Sequence, residues 1–186
     1  MLMEEIFATL LTHAAKGLNI HNQLANAFGF LNLKGYQKCH EYHFLEESHD
    51  YRELQDFILT VYNKLIPETQ PESLTIIPPN WYKYVKADVD VGTKRAAIRD
   101  LTLKWVEWEE ETNKLLEKSY KDLMDVGAVS GALKISDMLR ENCKELDYAR
   151  EMFLNLEAIG YDMSLIIDEQ QLLYNNFLKC IYEEDE

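Results

Sequence analysis

The residues of this chain best suited to chemistry are carboxylates, imidazoles and one amide, placed where a helix should be apolar. Four long segments carry such a residue when each is projected at about 100° per residue along its own apolar stripe. The first contributes His13 and His21, and the second His40, His43 and Glu47, with Asp50 at its margin. The third contributes Glu109, and the fourth Asn142 with Glu145 one flank over. Polar groups inside a helical core are costly unless they are paired, hydrogen-bonded or bound to a metal. A mixed set of carboxylates and imidazoles suits iron, manganese or zinc. The carboxylates would neutralise and bridge the ions, while the imidazoles would complete the coordination and help set a redox potential.

The elements that must position these side chains are helical almost throughout, with seven Gly and four Pro as punctuation. The first helix is predicted over residues 3–31, with Met3, Ile6, Leu10, Gly17, Leu24 and Phe28 on one stripe. After a tight turn at Asn32-Leu33-Lys34-Gly35, the second runs over 36–66 until Pro67 stops it, its stripe being Tyr51, Leu54, Ile58, Val61 and Leu65. Residues 67–92, with Pro71, Pro78, Pro79, Trp81, Tyr82 and Tyr84, form a connection long enough to travel the length of a bundle. The third helix, 93–126, presents Leu101, Trp105, Trp108, Thr112, Leu115, Ser119 and Leu123, and Gly127 ends it. The fourth, 128–159, turns Ile135, Leu139, Leu146, Ala149 and Phe153 inward, and Gly160 terminates it. A shorter fifth helix, 164–182, starts from Ser164 as N-cap and shows Ile166, Leu173, Phe177 and Cys180. The fold class is therefore all-α: an up-down four-helix bundle with a long crossover between helices two and three and an extra C-terminal helix.

Height along the bundle is an independent test of the polar set. The crossover makes the second and third helices parallel, and Glu47 and Glu109 lie at similar depths from their starts. Glu145 and Gly17 lie at matching distances before the ends of the antiparallel partners, and His21 is level with His43 one turn away. Glu46-x-x-His49 has the Glu-x-x-His spacing of di-iron bundles, but it points away from the apolar stripe, so Glu47-x-x-Asp50 is preferred. His13 reads as a core histidine with a partner, the three tryptophans as packing, and His40 and His49 as lying near the helix start and solvent.

Leu45-Glu46-Glu47-Ser48-His49-Asp50-Tyr51-Arg52-Glu53-Leu54 resembles the second helix of ferritins, and Trp108-Glu109-Glu110-Glu111-Thr112-Asn113-Lys114-Leu115-Leu116 resembles their third. The spacings from Glu109 to Asn142 and Glu145 resemble those between a ferritin's third-helix Glu and its fourth-helix ligands. Leu31-Asn32-Leu33-Lys34-Gly35 followed by Cys39-His40-Glu41 is similar to the Dps miniferritins, and the whole chain resembles small ferritin-like proteins encoded in prophages of Gram-positive bacteria. The resemblance implies a ferritin-like fold over residues 1–160, an iron site, a di-iron ferroxidase centre in the core, and a homo-oligomer. It also brings departures. Gly17 stands where ferritins place a first-helix Glu, so His21 or His13 must substitute; Asp50 matches the second-helix His, and Asn142 the fourth-helix Gln. Phe30, Gln55 and Thr60 match the ligands of the Dps intersubunit site, which argues against a centre of that type.

The metal set is thus Glu47, Glu109, Glu145, His21, His43, Asp50 and Asn142, with iron the expected ion and manganese or zinc compatible. The other class of function is a metal-free helical structural or interaction module, in which the same residues form hydrogen bonds and ion pairs within a partly wet core. With 186 residues, 47% of them hydrophobic, one domain over 1–186 is expected. A net charge of −14, from 33 acidic against 19 basic residues, argues against nucleic-acid and anionic-membrane partners. The N-terminus lacks a positively charged, apolar leader and no apolar run approaches membrane length, so a cytosolic protein is expected. Cys39, Cys143 and Cys180, odd in number and without C-x-x-C spacing, read as buried free thiols. No Gly-x-Ser-x-Gly elbow, phosphate-binding glycine loop or dinucleotide fingerprint supports a hydrolase or nucleotide enzyme.

Overall fold

A computed structural model describes residues 2–66 and 89–183, the last six of these by backbone alone. Five helices follow in order: α1 (Met3–Phe30), α2 (Lys34–Tyr62), α3 (Val91–Asp125), α4 (Val129–Ala158) and α5 (Met163–Glu183). Most of the segment expected as a crossover, residues 67–88 with Trp81, lies outside the described residues, as do the Cys180 side chain and the acidic end of the chain. No helix among the described residues is long and apolar enough to cross a membrane.

Left-handed residues make both tight turns. Asn32, at φ 63°, ends α1 and lets the Leu33 amide donate to the Phe28 carbonyl at 2.9 Å, with Leu31 and Leu33 buried on either side. Asn tolerates this conformation better than most residues with a side chain. Gly127, at φ 75°, does the same for α3, and the Ala128 amide donates to the Leu123 carbonyl. These turns create two helical hairpins, α1–α2 and α3–α4, which meet chiefly through α1 and α3, while α5 lies on α2.

Several boundaries differ from the sequence expectation, α2 starting at Lys34 rather than at residue 36. The second helix ends at Tyr62, because Asn63 turns left-handed at φ 50°. Val61, in the last turn of α2, and Leu65, beyond it, are exposed rather than part of a buried stripe, whereas Ile66 is buried. The third helix starts at Val91, where Asp90 accepts the Thr93 amide at 2.9 Å as N-cap. The fifth is capped by Asp162, which accepts the Ser164 amide at 2.9 Å, rather than by Ser164 itself.

The apolar core falls into two clusters. One gathers Leu24 and Phe28, Tyr36 and Cys39, Ile98 and Trp105, and Ala149 and Leu156, and α5 adds Ile166 to it. The other gathers Ile6, Phe7 and Leu10, Leu54 and Ile58, Leu116 and Leu123, and Ile135. In α2, α3 and α4 the polar candidates sit in the interval between the two clusters, as His13 does in α1, while His21 follows Ile20 at the edge of the first cluster.

Candidate metal centre

Glu109 is the anchor of this layer. Its side chain is almost fully buried, yet both oxygens accept hydrogen bonds, from the Trp105 indole at 2.9 Å and from the Asn142 amide at 2.8 Å. Trp105 lies one turn before it on α3, so an i,i+4 pair within one helix fixes the carboxylate, and α4 supplies the second donor. The Trp108 indole reaches Glu47 at 3.4 Å, and Nε2 of His21 faces Glu109 at 3.7 Å and Glu47 at 4.0 Å. Gly17 leaves room for this arrangement: a Cβ there would stand 2.5 Å from Oε1 of Glu47.

Three histidines form the other wall. Nδ1 of His21 and Nδ1 of His40 are 3.2 Å apart, and the His43 ring lies 5.3 Å from that of His21. Nδ1 of His43 pairs with Glu46 at 3.1 Å. Ligand atoms of His43, Glu46 and Glu145 lie within 4.8 Å of one another, the spacing of a group that can hold one ion. Three buried atoms of the layer have no hydrogen-bond partner: Nε2 of His40, Nε2 of His43 and Oδ1 of Asn142. Buried polar atoms are almost always paired, so such orphans mark where a ligand or water belongs.

A cavity of about 50 Å³ occupies the middle, lined among others by His21, His43, Glu47, Asp50, Asn142 and Glu145. Six of the seven residues expected to hold metal therefore share one space, and Glu109 joins them through Asn142. No Lys or Arg is among the described residues lining it. Burial pushes Glu47 well above the usual carboxylate range, helped by the charges of Glu109 and Glu145. Burial, with Glu109 adding to it, pushes Glu145 up to about 8 against the opposing effect of His43. Burial and Glu53 also raise Asp50. The imidazoles divide. Burial holds His21 below and His40 well below their ordinary value. Burial works against a charged His43 too, but Cys39 and Glu46 beside it hold it well above the ordinary value. The layer thus has a surplus of carboxylate that its own cations do not match.

Several sequence expectations are corrected here. His40 is fully buried rather than near solvent, because Trp105 meets its ring edge-on at 4.8 Å and Phe28 stacks on it at 5.3 Å. Glu46, set aside on direction, nevertheless brings its carboxylate to His43 and Glu145 at the edge of the site. His49 is exposed, as expected. Trp105 and Trp108 are buried packing residues, but their indoles also serve the two carboxylates. His13 is a core histidine with a partner: it bonds Thr112 at 2.8 Å and stacks on Trp108, and burial lowers it to about 4. Cys39 is buried, but Cys143 is exposed. Two signals in the sequence could have exposed the missed residues: the i,i+3 pair His43/Glu46 and the i,i+4 pair Trp105/Glu109.

No protein-family model matches the sequence, and no curated protein matches it. Solved structures do. The chain is similar to an open-pore ferritin from the hyperthermophilic archaeon Archaeoglobus fulgidus, with a TM-score of 0.76 at 16% identity over 92% of this chain and 94% of that one. A closed form of that ferritin made by site-directed mutagenesis matches equally well. A humanized archaeal ferritin matches with a TM-score of 0.75 at 15% identity, over 92% of this chain and 94% of that one. The fold is ferritin-like.

Proposed function

We propose that the polar layer binds divalent metal, with Fe(II) as its substrate, and that it promotes oxidation of that iron by oxygen or peroxide. One observation carries this reading: half-buried carboxylates and the unpartnered His43 Nε2 and Asn142 Oδ1 belong to residues around one small cavity that has no Lys or Arg among the described residues lining it. A cation there would relieve the carboxylate surplus that burial otherwise meets by protonation. The similar solved structures, all ferritins, support the choice of iron.

In this reading Glu145, Glu46 and His43 hold the first ion, and Glu47 extends the set toward a second, with Asp50 at the rim. Glu109 does not need to ligate. Its oxygens are engaged by Trp105 and Asn142, so it holds Asn142 in place and supplies negative charge from behind. His21 faces the gap between Glu47 and Glu109, and Gly17 keeps the Glu47 carboxylate close to α1. Ligated carboxylates favour the higher charge of Fe(III), which is how such a set would promote loss of an electron.

The test is to load the protein anaerobically with Fe(II), desalt it, count iron per chain, and then admit air while following oxidation. At least one iron per chain in the native protein, lost in Glu47→Ala and Glu145→Ala, with oxidation faster than that of free iron, is the expected result. No retained iron would leave a metal-free helical module. Self-association belongs to the same reading, with exposed Leu59 and Val61 on α2 and Leu165, Ile167 and Leu172 on α5 as apolar contact surface. Light scattering checks it, and a monomer mass at micromolar concentration would count against it.

A further inference from the structure

We propose that the cleft between α2 and α4 is the route by which cations reach the polar layer, an inference that rests on the metal-binding reading above. The cleft encloses about 700 Å³ and is lined by Glu46, His49, Asp50 and Glu53 on one side and by Asp137 and Glu141 on the other, among others. It adjoins the inner cavity, since Asp50, Met138, Glu141 and Glu145 line both. At the inner end wait His43 and Asn142, both more than nine-tenths buried and each with an unpartnered polar atom.

Other approaches are less open. The two apolar clusters close the layer above and below, and α1 packs on both α2 and α3 while α3 packs on α4. Charge favours the same face. The two basic residues of the cleft are already matched, Lys134 by Glu53 at 2.8 Å and Arg140 by Asp137 at 2.9 Å. Asp50 and Glu145 have no Lys or Arg partner within ion-pair distance among the described residues, so their carboxyl groups are open to an arriving cation. A cleft with a surplus of one sign of charge between low-dielectric walls draws in the opposite ion.

Lys134 makes the route conditional. Its side chain keeps only 15% of its surface exposed, and its ammonium crosses from α4 to Glu53 on α2, spanning the cleft. By pairing with Glu53, Lys134 takes one carboxylate out of the attraction for cations and so acts as a brake on arrival, while Met138 stands where the two spaces adjoin.

The experiment is stopped-flow binding of Co2+ to the full metal-free chain, read by visible absorbance. Met138→Trp should slow binding about tenfold while the Co2+ bound at equilibrium stays unchanged. Lys134→Gln, outside the ligand set, should speed binding by up to about tenfold, with the gain fading as salt is raised. Native rates in both variants would overturn the route and leave the metal site intact. Absence of Co2+ binding at equilibrium in the native protein would instead overturn the metal reading and the route together. If Met138→Trp does not fold, Lys134→Gln decides alone.

Discussion

Gly17 shows how an absent side chain can shape a site. The resemblance to ferritins places a carboxylate at that position; here the space is taken by the carboxylate of Glu47 from the neighbouring helix, 2.5 Å from where a Cβ would be. Gly17→Ala should therefore displace Glu47 and lower iron retention. Thermal unfolding should show little loss, since Ala is favoured over Gly inside a helix by up to about 1 kcal/mol. A variant that retains iron like the native protein would show that Glu47 is not a ligand. His21 yields a second prediction. Burial keeps it neutral and its Nε2 faces Glu109 and Glu47, so that nitrogen carries the proton and Nδ1 accepts from Nδ1–H of His40. In metal-free protein, nitrogen NMR of His21 should report the Nε2–H tautomer; the opposite tautomer would reverse the direction of the His40 bond. Glu145 gives a pH dependence. Its folded pKa, about 8, exceeds its ordinary 4.5, so the folded state holds a proton that the unfolded chain releases between those values. Its contribution thus makes metal-free stability fall as pH rises from 4.5 to about 8, then level off. Denaturant unfolding across that range should show a shallower slope for Glu145→Gln. Glu47, Asp50, Asn142 and Glu145 were legible in the sequence because each falls on or beside an apolar stripe. His40 and Glu46 were misjudged because their surroundings come from Phe28, Trp105 and the cleft, none of which the periodicity of α2 contains.

At the scale of elements, helix type and order followed from apolar periodicity, whereas ends depended on local chemistry that periodicity does not record. Pro67 looked like the stop for α2, yet Asn63 turns left-handed four residues earlier; Ser164 looked like a cap, yet Asp162 has the carboxylate that accepts its amide. Docking of α5 was less legible still. Gly35, which reads as part of a turn, lies instead in the first turn of α2, where the backbone of α5 passes directly over it. A Cβ there would overlap the Gln170 carbonyl, while the Gly35 amide donates to the Gln170 side chain at 3.0 Å and Tyr36 donates to Glu169 at 3.1 Å. Gly35→Ala should force α5 away from α2, at a cost of about 1–3 kcal/mol typical of overpacking. Denaturant unfolding measures that cost, and limited proteolysis should cut first in α5. A variant as stable and resistant as the native protein would mean that α5 can slide without loss.

At the scale of the whole molecule, a centre that binds only the folded chain must stabilise it. Metal at a hundred times its dissociation constant should add about 2.7 kcal/mol, seen as a higher melting temperature that disappears with chelator and in Glu145→Ala. The two apolar clusters have a further consequence for assembly of the fold. The α1–α2 turn lies at the end of the bundle that holds Phe28 and Tyr36, and the α3–α4 turn at the end that holds Leu123 and Ala132. Each hairpin can form locally, but neither cluster is complete until the hairpins dock. An apolar seam alone would let them slip past one another by a helical turn, about 5.4 Å, with modest penalty. The band of Glu47, Glu109 and Asn142 forbids it, because a slip would carry carboxylates into one cluster and strand the Asn142 amide. The same residues that make a site therefore act as an alignment key, selecting one axial register from several that the apolar stripes would tolerate.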